Sequence, residues 1–148
     1  MAVNTIHIDS SPAEVFDVLA DGWRYSGWVV GASHMRAVDP NWPAAGSRLH
    51  HAAGSWPVMR RDDTVVEASE PPRLLALTAR GRPFGTAAIT LELSDDDGGT
   101  LVTMTETPSS GPGRWLHNPA TEALLARRNT ETLARLKVLV EKPSEPRD

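Results

Sequence analysis

Side chains that could transfer protons or hold charge occur in the middle of the sequence. His34 and His51 are candidates because an imidazole gains or loses a proton near neutral pH and also hydrogen-bonds ligand oxygens. Arg36 and Arg60 could hold an enolate or carboxylate oxygen, since a guanidinium forms charge-assisted hydrogen bonds with such groups. Glu106 could act as a general acid or base if it faces an apolar interior. Together these residue types could support acid–base chemistry on a small molecule.

Each candidate also has a structural interpretation. A single histidine is more often structural or exposed than functional, and His7, His50 and His117 are weaker candidates than His34 and His51. A buried Glu106 could instead pair with an arginine, or reach solvent if its strand ends one residue earlier.

Arg60 and Asp62 lie in the segment RRDD, which has two interpretations. They could share the inward face of a strand and form a pair two residues apart. Alternatively, the segment is exposed and its charges are solvated. The exposed alternative is slightly favoured, because Arg61 and Asp63 repeat the same pattern on the opposite face.

Four of the five tryptophans lie between positions 23 and 56. Trp28 could pack a short helix onto the sheet or contact a ligand. Trp42 and Trp56 lie in turn-rich segments, where an indole can clamp a flat ligand at the mouth of a cavity while its N–H finds a partner. The alternative role for such residues is an apolar contact patch.

The elements that must position these residues follow from hydrophobic periodicity and turn signals. Ser11 and Pro12 are typical of a helix start, and a second short helix or turn follows it. Residues 118–142 form the clearest helix, with an apolar stripe that includes Leu125 and is interrupted by Asn129. The predicted strands cover 3–9 and about 33–38, 46–54, 57–69, 73–81, 84–94 and 100–107.

This order predicts an α+β fold, with a long helix packed on a strongly curved antiparallel sheet of about seven strands. Such packing leaves a space that often holds a ligand. Strand alternation directs Ala87 and Ile89 into that space, and likewise Met104 and Glu106. Asn129 could hold a ligand group or bond a strand side chain such as Glu106 or Arg36. We expect residues 1–142 to form one ligand-binding domain and 143–148 a polar tail.

Composition excludes several classes of function. The chain has no cysteine, so disulfides, thiolate catalysis and cysteine-ligated metals are excluded. The net charge of −4 offers no basic surface for nucleic acid. We find no motif for a metal, a nucleotide or another cofactor, and expect none. The sequence contains no apolar run of membrane-spanning length and no recognisable signal peptide, so we expect a cytoplasmic location.

The arrangement of several short motifs resembles that of a known superfamily over roughly residues 2–141. The residues that carry the resemblance are Ser11-Pro12, Val15-Phe16, Leu19-Ala20-Asp21, Trp28, PAAGS at 43–47, EASEPPRLLAL at 67–77 and GTLVTMTET at 99–107. They are similar to the START-like, or SRPBCC, superfamily, which includes the polyketide cyclase/dehydrase and lipid-transport proteins. The resemblance implies a helix-grip fold with a deep, largely apolar cavity under the C-terminal helix. It does not imply one reaction.

Three functions are compatible with this resemblance. The first is binding of a hydrophobic small molecule, such as a lipid, a polyketide or another apolar metabolite. The second is a polyketide cyclase or aromatase activity that uses His34 or His51, Arg36 or Arg60, and Glu106. The third is a protein-interaction module. We favour binding, by a monomer or a homodimer.

Overall fold

The computed structural model describes residues 1–30, 34–55, 58–81, 85–110 and 119–142. Within these residues the chain forms seven strands, three α-helices and one 3₁₀ turn. In chain order they are β1 (Ala2–Ile8), α1 (Pro12–Ala20), the 3₁₀ turn (Gly22–Arg24), α2 (Tyr25–Trp28), β2 (His34–Val38), β3 (Arg48–Ser55), β4 (Val58–Glu70), β5 (Leu74–Gly81), β6 (Gly85–Asp96), β7 (Gly99–Ser110) and α3 (Pro119–Glu141).

All seven strands belong to one antiparallel sheet in the order β1-β7-β6-β5-β4-β3-β2. Strands β2 to β7 follow one another as a meander, because each is joined to the next by a short connection. Strands β1 and β2 are consecutive in the chain but lie at opposite edges. The segment that holds α1, the 3₁₀ turn and α2 joins the two edges.

The first helix begins where the sequence predicts it. The Ser11 Oγ accepts a hydrogen bond from the Glu14 backbone N–H at 3.2 Å, and Pro12 occupies the first turn. Since an N-terminal amide satisfied in this way stabilises a helix by about 1 kcal/mol, the local sequence fixes the helix start. The buried face of α1 then packs against β6, β7 and α3.

The core lies between the sheet and α3. Leu133 and Leu136 of α3 are fully buried, and alternate residues of the central strands, such as Leu91 and Val102, are buried opposite them. This alternation continues through β7, whose inward residues are Val102, Met104 and Glu106. The inward face of the sheet is therefore apolar near its middle and acquires polar residues toward one end.

Two irregularities change the alternation of side chains in the half of the sheet that contains β2 to β5. The register shifts between Met35 and Ala37 in the β2–β3 pair, and between Val66 and Ala68 in the β4–β5 pair. Met35 is consequently buried whereas Arg36 and Ala37 are both exposed.

The architecture is the helix-grip fold expected from the sequence, with predicted strands that match the observed ones within a few residues. The predicted helix over 118–142 is observed as Pro119–Glu141. The predicted polar tail, residues 143–148, lies outside the described residues. No helix in the described part of the chain has the length and apolar character needed to cross a membrane.

Candidate functional site

Polar side chains project into the core from neighbouring positions of β3 and β4. His51 and Asp62 are directly opposite each other in the β3–β4 register, and they are only 8% and 6% exposed. Thr64, two residues further along β4, is completely buried. The sequence interpretation of RRDD as an exposed segment is therefore wrong for Asp62, which lies on the inward face of its strand.

His51 belongs to a chain of hydrogen-bonding groups that ends on α2. Its Nε2 lies 3.0 Å from the Thr64 Oγ1, and that hydroxyl lies 3.3 Å from the Tyr25 hydroxyl. The Tyr25 ring also stacks on the His51 imidazole and meets the Trp28 ring edge to face, with ring centroids 5.7 and 5.3 Å apart respectively. Helix α2 thus holds the His51 ring in a fixed orientation.

His51 and Tyr25 are the two titratable groups of this series of hydrogen bonds, and burial favours the neutral form of both near pH 7. Desolvation lowers the pKa of His51 below its usual 6.5, although the nearby charges of Asp62 and Asp63 act in the opposite direction. Desolvation also raises the pKa of the Tyr25 hydroxyl. A neutral imidazole has one nitrogen that donates and one that accepts, so His51 can exchange a proton with a bound molecule.

A buried carboxylate lies on the inward face of β7. Glu106 is 3% exposed, and both of its oxygens accept hydrogen bonds from Arg128 Nη2 at 2.7 and 2.6 Å. Asn129, which is 1% exposed, donates from Nδ2 to Glu106 Oε2 at 3.1 Å. Of the alternatives for Asn129, the structure therefore shows the bond to Glu106. The Arg128 side chain is 43% exposed, so its guanidinium bonds Glu106 while it remains partly in contact with solvent.

Three buried polar atoms of this region have no hydrogen-bond partner within the described structure. They are Trp28 Nε1, His51 Nδ1 and Asp62 Oδ1. A buried polar group without a partner costs about 1–3 kcal/mol, so three such groups in one region are unusual for a core that serves packing alone. One of the three atoms is a donor, one is an acceptor, and the imidazole nitrogen can be either.

The inward face beside these groups carries small and apolar side chains. Ala79 of β5 and Ala87 of β6 are register partners on the inward face, and both are half-buried. Ile89 and Met104, further along this face, are buried. Leu125 on α3 is half-buried. Two of the smallest side chains therefore lie next to each other at this end of the inward face.

The structure does not bring every predicted residue to the interior. Arg36 is exposed, and its Nε donates to the His51 carbonyl oxygen at 3.3 Å from outside the core. Trp42 is buried, with its indole N–H donating to the Leu19 carbonyl oxygen at 3.2 Å, so it packs within the core. The side chains of His34 and Arg60, and all of Trp56, lie outside the described residues.

Three residues of the site are not candidates from the sequence. Tyr25 and Arg128 carry no signal for a site, because a one-turn helix and an arginine beside a second arginine are both common surface features. Thr64 lies on the inward face that strand alternation would also give to Asp62, because it is two residues further along the same strand.

Comparison with known proteins identifies related molecules. The sequence profile of a family described as polyketide cyclase / dehydrase and lipid transport matches residues 2–141. No protein of curated function matches the sequence.

Solved structures with a similar fold cover almost the whole chain. MLL2253 from Mesorhizobium loti is 18% identical, with a TM-score of 0.72 over 97% of this chain and 98% of its own. Ara h 8.0201 is 12% identical, with a TM-score of 0.70 over 93% and 95%. DynU16, a protein in the dynemicin biosynthetic locus, is 20% identical, with a TM-score of 0.67 over 95% of this chain and 47% of its own. At these identities the likeness concerns the fold.

Within the described residues no group of three or more histidine and carboxylate side chains is arranged to hold a metal ion.

Proposed function

Because the chain belongs to the polyketide cyclase / dehydrase and lipid transport family, we propose that it binds a largely apolar small molecule between the sheet and α3. The ligand contacts Trp28, His51 and Asp62 through polar atoms, and its apolar part lies against the inward face of β5, β6 and β7. This interior site is defined here as Trp28, His51, Asp62, Ala87 and Glu106.

The observation that carries the proposal is the presence of three buried polar atoms that have no partner among the described residues, at Trp28 Nε1, His51 Nδ1 and Asp62 Oδ1. Polar atoms in protein interiors are nearly always hydrogen-bonded, because leaving them unpaired costs free energy. Binding sites are the usual exception, since their polar groups are directed at a ligand and fix its orientation.

The surroundings of these atoms support an apolar ligand. Ile89, Met104 and Leu133 belong to the buried core, and the inward residues Ala79 and Ala87 carry small, half-buried side chains. Apolar walls with a few directed polar groups are typical of small-molecule sites. Apolar contact supplies most of the affinity, and the polar groups select the ligand.

Native mass spectrometry of the protein purified from its own host tests the proposal directly. We expect a non-covalent complex with a small molecule that is released in denaturing solvent. Purified protein without any bound small molecule, together with no binding to an apolar fluorescent probe, would contradict the proposal.

A pair of variants locates the ligand. Ala87→Phe places a large ring on the inward face of β6, so we expect it to weaken probe binding by about tenfold or more. Ala88→Phe is the matched control, because Ala88 is the neighbouring residue on the exposed face of the same strand. Equal affinities of the two variants would place the ligand elsewhere.

A second candidate function is catalysis, and the neutral His51 within the Tyr25–Thr64–His51 hydrogen-bond chain favours it. His51 Nδ1 would accept a proton from a carbon acid of the ligand, while Thr64 fixes the other nitrogen. Assay of aromatic polyketide analogues with wild-type protein and His51→Gln distinguishes the two functions. Loss of turnover with retained ligand binding in His51→Gln would support catalysis, and absence of turnover in both proteins would leave binding as the function.

A further inference from the structure

The described side chains of the interior site include more acidic than basic groups. From this we infer that its ligand carries a positively charged amine whose counter-ion is Asp62. This inference rests on the proposed function, because it names the chemical class of the molecule bound at the same site. It is more specific than the general expectation of an apolar ligand.

The acidic groups of the interior outnumber the basic groups that face them. Among described side chains the buried carboxyl groups of the site are Asp62 and Glu106. Arg128 reaches Glu106 and makes two short hydrogen bonds with it, so this pair is balanced. Among the described side chains no arginine or lysine is paired with Asp62. The neighbouring His51 is neutral because it is desolvated.

A second observation, separate from the count of charges, is that Asp62 is incompletely hydrogen-bonded. Its side chain is more than nine-tenths buried, and its Oδ1 has no partner within the described structure. A buried carboxylate is costly unless a donor or a cation compensates it. A ligand ammonium group provides both a positive charge and three N–H donors, as a lysine side chain does.

Aromatic rings packed around His51 favour the same class of ligand. His51 is the cross-strand partner of Asp62, Tyr25 stacks on His51, and Trp28 meets Tyr25 edge to face. Tyrosine and tryptophan rings attract cations through the negative charge of their faces. The Trp28 N–H, which has no partner within the described structure, additionally fits an oxygen acceptor elsewhere on the same ligand.

A carboxylate ligand is disfavoured by the same arrangement. It would bring a third negative charge close to Asp62 and Glu106, and like charges repel strongly where water is excluded. The one cation described at the site, Arg128, is already bonded to both oxygens of Glu106. The site therefore discriminates by charge as well as by shape.

The test compares three molecules that share a ring and differ in their polar group: naphthylethylamine, naphthylethanol and naphthylacetic acid. Their dissociation constants are measured with wild-type protein by calorimetry near neutral pH. We expect the amine to bind about tenfold or more tightly than the alcohol, and the acid to bind most weakly. Acid binding as tight as amine binding would overturn the inference.

Asp62→Asn then identifies the group responsible. It keeps the shape of the side chain and removes its charge, so we expect it to lose the preference for the amine while retaining affinity for the alcohol. Asp63→Asn is the matched control, because Asp63 bonds Arg48 on the other face of β4 and should not affect the preference. An amine preference that survives in Asp62→Asn would also overturn the inference.

The outcomes separate this inference from the function on which it rests. If the alcohol binds and Ala87→Phe blocks it, but the amine has no advantage, only the inference fails. If none of the three molecules binds to wild-type protein, the proposed function fails and the inference fails with it. Wild-type affinities alone decide between amine and acid if Asp62→Asn does not fold.

Discussion

The imidazole of His51 stacks on the phenol ring of Tyr25, with an angle of 23° between the planes. This contact joins β3 to the one-turn helix α2, which has too few residues to be stable without such packing. The Tyr25 hydroxyl and His51 Nε2 also meet the same Thr64 hydroxyl. A short helix thereby gains a fixed position, and a histidine is buried with one nitrogen that has no partner in the described part of the protein.

Burial of His51 predicts a loss of stability in mild acid. Its pKa is lowered in the folded protein, so the unfolded chain takes up a proton first as the pH falls. The stabilising contribution is complete above the unfolded value of about 6.5 and is lost progressively below it, until the folded pKa is reached. Unfolding measured against pH should show this slope, and His51→Gln should reduce it. His50→Gln, on the outer side of the same strand, is the control; an unchanged slope in His51→Gln would contradict the assignment.

His7 predicts the opposite dependence on pH. Hydrogen bonds to Asp96 and Asp9, both at 2.9 Å, raise its pKa above 6.5. The stabilising contribution is therefore complete below about pH 6.5 and is lost as the pH rises through the folded pKa. The difference in Tm between wild type and His7→Gln should shrink as the pH is raised. A difference that stays constant from acid to alkaline pH would exclude the ion pairs as its cause.

The pair of Glu106 and Arg128 predicts a strong coupling. Arg128→Ala leaves a buried carboxylate without its cation, so we expect a loss of about 1–3 kcal/mol in the free energy of unfolding. The double variant Glu106→Gln/Arg128→Ala should lose less than the sum of the single losses, by about 1 kcal/mol. Denaturant unfolding gives the free energy of unfolding of the wild type, Glu106→Gln, Arg128→Ala and the double variant. Arg127→Ala, at the exposed neighbouring position, is the control and should change the free energy of unfolding by less than about 0.5 kcal/mol. A double variant whose loss equals the sum of the two single losses would contradict the pairing.

Close backbone contact at Gly99 predicts that β7 cannot begin with a larger residue. A Cβ at this position would collide with the Ile8 carbonyl oxygen and would lie 2.9 Å from the nearest His7 ring atom. Gly99→Ala should therefore destabilise the protein by about 1–3 kcal/mol, since the obstacle is backbone. Gly27→Ala is the control, because its Cβ would meet only a Leu139 methyl group at 3.4 Å. Thermal unfolding checks both variants, and equal Tm values would contradict the collision.

The fold could be predicted from the sequence because its elements carry strong local signals. Ser11 and Pro12 mark a helix start, and the alternation through Met104 and Glu106 correctly identifies the inward face of β7. The β2 strand could not be assigned in this way. Its register shifts between Met35 and Ala37, and a bulge depends on the neighbouring strand more than on local composition.

The candidate site was only partly predictable for a related reason. His51, Glu106 and Asn129 follow from periodicity, because each lies on an apolar face of its own element. Arg128 does not, since an arginine on a helix flank reaches a carboxylate only when a second element brings that carboxylate close. The turn-rich surroundings of Trp42 indicate either a cavity mouth or an apolar contact patch, but its indole N–H bonds the Leu19 carbonyl oxygen inside the core.

The pairing of β1 with β7 also determines when the site can be completed during biosynthesis. Ala2 lies opposite Glu106 in that pairing, and the guanidinium that neutralises Glu106 comes from α3, which is made later still. Contacts between such distant segments form late, because a long stretch of chain must first be closed into a loop. A nascent chain that has reached β7 but lacks α3 presents the Glu106 face of its sheet uncovered, with the neighbouring apolar residues exposed to aggregation or to chaperones.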